Sequence, residues 1–348
     1  MAVRADKTPI PDDAVLVADI GGTNARFALA VSGAGAPPGR PHLIHQITLA
    51  TADFASLQHA AEHYLERCGT RPWRAAFAVA CPVTGDEIRL TNRAWAFSRS
   101  ELSSALNLDE LIVINDFGAV ARAVPALGAG DVVALHGTLD TVPAAPVSVI
   151  GPGTGLGVAL LVAGPDGPWQ VIETEGGHIS FAPQGDEEQC IAEWMTARHG
   201  RVSVERVLSG PGLARIHAAL GGLKPGRTAT PDRLLAEPAE IVSAALAGSD
   251  ALARRAVARF CAILGSVAGD TALIHGARTL FIAGGIVPRF IPFLRASAFR
   301  ERFLAKGRFA AHLETVALAV ITHPDPGLLG AALAAGDAAP GGRLSEAE

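Results

Sequence analysis

The chain has 348 residues, 49% of them hydrophobic, which exceeds one ordinary domain and allows a large core, so two α/β lobes are the natural expectation. A net charge of −5 lacks the basic footprint that nucleic acid or an anionic membrane surface demands, so neither is an expected partner. Four widely spaced cysteines, with no Cys-x-x-Cys pair, exclude a cysteine-based zinc knuckle and point to a reducing compartment. Residues 1–13 mix charges and prolines without an apolar signal core, and apolar windows such as 147–163 are broken by glycine and proline. A soluble cytoplasmic protein is expected. Aromatic residues make up only 5% against 38 glycines, so the core should be built from Ala, Val, Leu and Ile.

In chain order, residues 15–20 and 27–31 are β-type runs separated by a glycine-rich turn at 21–26, which reads as a hairpin. Residues 32–41 form a Gly/Pro/Ala-rich connection, and 42–49 a third strand. Helical spacing of Leu57, Ala61, Tyr64 and Leu65 over 54–68 stops at Gly69. A strand at 75–80, a serine-capped helix at 100–106 and a strand at 111–114 complete the order expected of half of a duplicated nucleotide-binding fold. The pattern restarts at 147–150, where run, glycine turn and run at 158–162 echo the first hairpin, with a third strand at 170–172. Helices at 186–199, 212–220, 238–247 and 251–274 follow, a polar loop at 221–232 lying among them. Strands at 280–283 and 315–321 close the pattern before a polar tail from 336 that should fray.

Three features carry chemistry. Asp116 ends the apolar run 111–114 directly after Asn115, an ionisable group at the mouth of what reads as a buried strand. Two apolar runs end in glycine-rich, threonine-bearing turns: Asp19-Ile20-Gly21-Gly22-Thr23-Asn24 and Gly151-Pro152-Gly153-Thr154-Gly155. Successive exposed N–H groups suit an anion, and Asp19 is placed to hold Mg²⁺ through water. Either turn alone is equally well a plain hairpin. Two in equivalent places, with Gly284-Gly285 after a further strand, favour a clamp for a nucleoside triphosphate. Glu175-Gly176-Gly177-His178 and Glu205 add two carboxylates and an imidazole, the pair of glycines leaving room for a ligand. With Asn115 and Asp116 they suit a polyol, whose hydroxyls each donate and accept. A carboxylate beside the attacking hydroxyl can also take its proton. Glu205 beside Arg206 also fits a surface charge pair, and His178 a structural imidazole or a metal ligand, though no cysteine cluster supports a metal.

These residues lie in longer motifs: Val17-Ala18-Asp19-Ile20-Gly21-Gly22-Thr23-Asn24-Ala25-Arg26, Cys81-Pro82-Val83-Thr84-Gly85-Asp86, Thr91-Asn92-Arg93-Ala94-Trp95, Ile114-Asn115-Asp116-Phe117, Glu205-Arg206-Val207-Leu208-Ser209-Gly210-Pro211-Gly212 and Ile282-Ala283-Gly284-Gly285-Ile286-Val287-Pro288-Arg289-Phe290. With the second glycine turn and Glu175–His178, the chain from about residue 15 to 330 resembles bacterial glucokinase of the proteobacterial type, in the hexokinase and actin-like ATPase superfamily. That resemblance implies an α/β, two-lobed actin-like fold (a duplicated ribonuclease-H-like unit) with its active site in the interlobe cleft. It implies a small lobe at 1–126, a helix near 327–337 packing back on it, a large lobe at 127–326 and a disordered tail at 338–348. It further implies ATP with Mg²⁺ carried by the nucleotide, no dedicated metal ligands, D-glucose as substrate and a homodimer. Position by position, Asp116 matches the catalytic base at the 6-hydroxyl. Asn115, Glu175, His178 and Glu205 match glucose contacts, and Asp19, Gly21, Gly22, Thr23 and Asn24 the first phosphate loop. Gly153, Thr154 and Gly155 match the second loop, Gly284 and Gly285 the adenosine side. Related sugar kinases with a Glu-x-x-His element bind zinc through a cysteine-rich motif that this chain lacks, so His178 is assigned to sugar. Ser180, where relatives often carry an acid, and the proline-rich 32–41 connection depart from the pattern away from the chemistry.

The alternatives are a kinase of another hexose (mannose, fructose or an N-acetylated sugar), a non-catalytic sugar sensor, and a chaperone-type or filament-forming ATPase. The sensor reading is weakened by an acidic chain with 14 residues before its first strand, and by Asp116. The ATPase reading is weakened by the Asn115, Glu175, His178 and Glu205 set.

Overall fold

The structure is a computed structural model describing residues 8–31, 40–90, 95–140, 142–163, 167–222 and 235–337. Most of the 32–41 connection, positions 91–94 of one family motif, most of the 221–232 loop and the tail from 338 lie outside the described residues. The chain divides into two compact units, with boundaries after Ala126 and after His323.

In the first unit, β1 (Val15–Ile20), β2 (Asn24–Val31) and β3 (His42–Ala50) form an antiparallel meander. Helix α1 (Leu57–Cys68) starts where Ser56 accepts from His59 N and stops at Gly69, whose φ of +68° is the left-handed cap a helix end requires. Strand β4 (Arg74–Val79) lies parallel to β1, and a small hairpin, β5 (Glu87–Arg89) with β6 (Ala96–Ser98), leads into α2 (Arg99–Ala105), capped by the Ser98 hydroxyl. Then β7 (Glu110–Asn115) pairs with β4 and passes directly into α3 (Asp116–Ala123). The sheet order is β3-β2-β1-β4-β7. The C-terminal helix, Pro326–Asp337, packs on α3 so closely that a Cβ at Gly330 would overlap the Ala119 carbonyl.

The second unit repeats this order. Its strands are β8 (Val132–His136), β9 (Val147–Pro152), β10 (Leu156–Val162), β11 (Gln170–Thr174), β12 and β13, where β12 is Thr279–Ile282 and β13 is Ala317–Ile321. They are arranged β11-β10-β9-β12-β13-β8, so a three-strand meander again carries parallel neighbours beside its first strand. The helices are α4 (Gly185–His199), α5 (Val204–Val207), α6 (Gly210–Leu220), α7 (Pro238–Ala247), α8 (Ala251–His275), α9 (Ile291–Ala296), α10 (Phe299–Leu304) and α11 (Ala310–Leu313). Helix α8 is long and apolar enough to cross a membrane, but 72% of its apolar window is buried inside this unit, as the core helix of a folded α/β layer. Glu188 of α4 is buried and receives the Arg259 guanidinium from α8 at 3.2 Å and Arg302 from α10 at 2.8 Å, while Ser266 holds Arg302 Nε at 2.9 Å. Such a satisfied buried charge fixes helix placement, since removing one partner leaves the others uncompensated.

Four expectations change. The first glycine turn is shorter than 21–26: β2 already begins at Asn24, because Ala25 and Arg26 pair with Ile20 and Asp19 across the hairpin. Gly151 and Pro152 belong to β9, paired with Gly157 and Leu156. Strand β7 is not buried; it is an edge strand in which Val113 alone is buried, so its apolar run does not place Asp116 in an apolar interior. The core also uses its few aromatics at central points: Phe27 stacks on Tyr64 at 5.3 Å and meets Phe77 edge-on at 6.4 Å, all three fully buried. Helix α3, the β5–β6 hairpin and β8 have no counterpart in the sequence reading.

Candidate active site

In the first unit, Asp19 sits near the end of β1 directly across from Arg26 of β2. Arg26 Nη1 reaches the Asp19 carboxylate at 3.1 Å and Arg26 Nε reaches Asp325 at 3.4 Å, so one guanidinium lies between two carboxylates. The first turn of the C-terminal helix closes on Asp19: a Cβ at Gly327 would stand 2.9 Å from its carboxylate. Burial pushes the Asp19 pKa up, opposed by the charge and hydrogen bond of Arg26, with Asp325 pushing it further up. The adjoining turn is held by Gly21 N donating to Asn24 O at 2.9 Å, by Thr51 N to Thr23 O at 3.0 Å and by the Thr51 hydroxyl to Gly22 O at 3.0 Å. An added Cβ at Gly21 would make only an ordinary 3.4 Å contact, so this glycine is not needed for the fold of the turn.

Asn115 and Asp116 occupy the junction of β7 and α3. Asn115 is the N-cap, its Oδ1 accepting from Phe117 N at 2.9 Å and Gly118 N at 3.0 Å, while its amide reaches Cys81 O at 3.4 Å. Asp116 is the first helical residue, half-buried, and its Oδ1 accepts from Phe117 N at 2.8 Å. A carboxylate at this end of a helix is stabilised as the anion by the aligned N–H groups.

In the second unit the structure brings Thr154, His178 and Glu205 around one cavity of about 340 Å³. The chain after β11 makes a short turn, Gly176–His178, and then runs beside residues 202–204: Phe181 N donates to Val202 O at 3.0 Å and Val204 N to Ile179 O at 2.9 Å, with Ser180 bridged to Ser203. This places His178 near Glu205. Glu175 lies 3.8 Å from the His178 imidazole, both of them exposed. Glu205 is not a surface partner of Arg206; its Oε2 accepts from Leu156 N at 2.9 Å, at the start of β10. Gly155 makes that approach possible, since a Cβ there would lie 2.5 Å from the same oxygen. Gly153 N donates to Gly155 O and Gly153 O accepts from Gly210 N, both at 2.8 Å, which ties the second glycine turn to the start of α6.

The Gly176–Gly177 pair does not leave room for a ligand. Added Cβ atoms there would press on Val158 and overlap the Leu156 carbonyl, so both glycines serve close packing against β10. Gly284 has φ +87° and is seated against the Pro152 carbonyl, whereas Gly285 faces open space. Among the described residues, no three or more His, Cys, Asp or Glu side chains gather as a metal site. Sequence reading missed Arg201 and Arg215, which line the cavity with Arg206; only Arg206 lay in a quoted motif, and no local pattern announces the other two.

The glucokinase family model matches residues 16–338. The chain belongs to the glucokinase family. Within it, the chain is 45% identical over 333 residues to a glucokinase of Stenotrophomonas maltophilia (strain R551-3), covering 93% of this chain and 95% of that one. A crystal structure of a glucokinase from an Antarctic psychrotroph superposes with a TM-score of 0.78 at 38% identity, covering 93% of this chain and 99% of the other. At 20% identity the fold alone is shared with a glucokinase of the ROK family from Streptomyces griseus, crystallised with glucose and AMPPNP (TM-score 0.62, 92% and 99% covered). The strand order repeated in the two units is thus the duplicated α/β arrangement of glucokinase and ROK sugar kinases, in keeping with a two-lobed actin-like fold.

Proposed function

We propose that this chain transfers the γ-phosphoryl group of ATP to the 6-hydroxyl of D-glucose, forming glucose 6-phosphate and ADP. The observation that carries the reading is the glucokinase family match along residues 16–338. ATP as donor is supported by the ROK-family neighbour crystallised with glucose and AMPPNP.

In this reading Asp116 accepts the proton that the glucose 6-hydroxyl donates as the oxygen attacks phosphorus. Its position at the start of α3, with Oδ1 accepting from Phe117 N, fixes its direction. Phosphoryl transfer demands mainly positioning and charge neutralisation, so the remaining residues orient substrates. Asn115, Glu175, His178 and Glu205 are assigned to glucose hydroxyls. Gly21, Gly22, Thr23 and Asn24, with Gly153, Thr154 and Gly155, are assigned to ATP phosphates, and Gly284 and Gly285 to the adenosine. Asp19 and Asp325 offer the hard oxygen donors that suit the hydrated Mg²⁺ of ATP, with Arg26 beside both. When bound, Mg²⁺ would supply neutralisation of phosphate charge. We assign the enzyme to the cytoplasm and to a homodimer, the latter checked by sedimentation velocity.

Asp116→Ala is expected to lower kcat by roughly 10²–10⁴-fold with Tm nearly unchanged. A loss under about tenfold would remove Asp116 from the role of base. A panel of hexoses with ATP and Mg²⁺, read by ADP release, separates glucose from mannose, fructose and N-acetylated sugars.

A further inference from the structure

One motif of the sequence has no part in the chemistry assigned above: Cys81-Pro82-Val83-Thr84-Gly85-Asp86, the segment between β4 and β5. The sheet decides where it starts. Strand β4 lies between β1 and β7, with Val79 level with Ile20 on one side and Asn115 on the other. Ala80 N donates to Ile20 O at 3.2 Å, so the chain leaves at the carboxyl ends of three parallel strands, next to Asn115 and Asp116. Such strand ends are where open α/β sheets bind their ligands.

The segment is neither strand nor helix, and Pro82, Thr84, Gly85 and Asp86 are exposed. Side chains hold it at three points. At the start, the Asn115 amide reaches Cys81 O at 3.4 Å, from the same residue whose Oδ1 caps α3. The Cys81 thiol is buried, and burial followed by the charge of Asp116 pushes its pKa up, so the two side chains lie within electrostatic reach. In the middle, Arg99 Nη2 donates to Val83 O at 3.1 Å. At the end, the Asp86 carboxylate accepts from the Ser98 hydroxyl at 2.6 Å, from Ser100 N at 3.0 Å and from the Ser100 hydroxyl at 3.1 Å. Arg99 also encloses its Nε without a hydrogen-bond partner among the described residues, which is costly for a charged donor. Helix α2 has its cap already, since the Ser98 hydroxyl accepts from Glu101 N. The guanidinium therefore serves the segment rather than the helix.

We propose that Arg99 and Asp86 are positioning residues for the hexose: they hold segment 81–86 against Asn115 as a fixed wall beside Asp116, and so set the affinity for sugar and not for ATP. The proposal rests on the assignment of Asn115 and Asp116 to the sugar. Arg99 acts through Val83 O, and Asp86 through the two serines at the start of α2. A wall held in place beforehand loses no freedom when the sugar binds, whereas a loosened one must first be ordered, which weakens binding.

The test compares the full-length wild type with Arg99→Gln, Arg99→Lys, Asp86→Ala and Asp86→Asn. A control, Ser103→Ala, removes a hydroxyl bond from α2 to Leu108 O without touching the segment. A coupled assay gives the KM for glucose and for ATP, isothermal titration calorimetry the glucose Kd, and thermal unfolding the state of the fold. Arg99→Gln and Asp86→Ala are expected to raise the KM and Kd for glucose about tenfold, the scale of one lost charge-assisted hydrogen bond, with the KM for ATP within about twofold of wild type. Arg99→Lys keeps a donor for Val83 O and Asp86→Asn an acceptor for the serines, so each should recover part of that affinity. Ser103→Ala should leave the glucose KM unchanged. The proposal is overturned if the folded Gln and Ala variants bind glucose as the wild type does, if their KM for ATP rises as much as that for glucose, or if Ser103→Ala gives the same loss. Should Arg99→Gln or Asp86→Ala fail to fold, Arg99→Lys and Asp86→Asn decide the matter by the same split between the two KM values. An active wild type whose variants keep its glucose KM defeats the proposal alone; a wild type that neither binds nor phosphorylates a hexose defeats the functional reading and the proposal with it.

Discussion

The two glycine turns look alike in sequence and differ in what their glycines do. In the turn after β1, an added Cβ at Gly21 meets nothing closer than 3.4 Å, and the turn is held by backbone bonds to Thr51 and Asn24. In the turn after β9, Gly155 is pressed against Glu205, and Gly153 is hydrogen-bonded to the start of α6. Nearby, Gly284 in its left-handed conformation abuts the carbonyl of Pro152. The first turn therefore has steric room beyond what its fold requires, as a loop that must accept a bulky anion needs. In the second, Gly155 is required by the protein itself before any ligand arrives, whereas a Cβ at Gly153 would meet nothing within 4 Å. A glycine-rich signature identifies the place, but not whether the missing side chain makes way for a ligand or for the chain itself.

That contrast can be broken by substitution. The largest effect is expected at Gly284→Ala, where a left-handed backbone and a carbonyl clash add, for a loss of about 2–4 kcal/mol read by denaturant unfolding. Next is Gly155→Ala, which must displace the Glu205 carboxylate from the Leu156 amide. It should cost about 1–3 kcal/mol and raise the KM for glucose, measured by coupled assay. Gly21→Ala should leave stability within about 0.5 kcal/mol while raising the KM for ATP. If Gly21→Ala unfolds the protein as readily as Gly155→Ala, the two turns are alike after all.

The smallest effect concerns Asp19 beside the first turn. Its folded pKa is raised above the ordinary value of 3.8, chiefly by burial, with Arg26 and Asp325 as the charged groups facing it. The folded state therefore holds this proton more tightly than the unfolded chain. The resulting stability is fully present below pH 3.8 and lost as pH rises through the folded pKa. Relative to Asp19→Asn, the wild type should thus gain stability as pH falls toward 3.8, followed by urea unfolding at stepped pH. A flat difference curve would show that Arg26 fully compensates the burial.

Much of the fold is written locally. The hairpins on either side of the glycine turns, the Ser56 and Ser98 caps, the Gly69 stop and the apolar face of α1 are all signals within a few residues of one another. Asn115 and Asp116 were legible for the same reason, as a polar pair closing an apolar run. Their surroundings were not, because an apolar run has the same appearance in a central strand and in the edge strand β7, and only pairing decides which it is. Helix α3 is not announced by the sequence because a polar Asn115-Asp116 pair reads equally as ligand chemistry and as a cap, and only the structure shows Asn115 Oδ1 bonded to two backbone amides.

By itself the sequence determined the strand and glycine-turn pattern, the resemblance to glucokinase and the short roster of polar residues able to meet a sugar and a nucleotide. Tertiary structure alone decided that Glu205 holds the amide of Leu156, 49 residues away, that Ser180 pairs with Ser203, and that Arg201, Arg206 and Arg215 gather beside His178. The physical reason is one of range. Caps, turns and periodicity act between neighbours in the chain, whereas the charge and shape of a cavity come from segments that meet only when the sheet and its helices are packed.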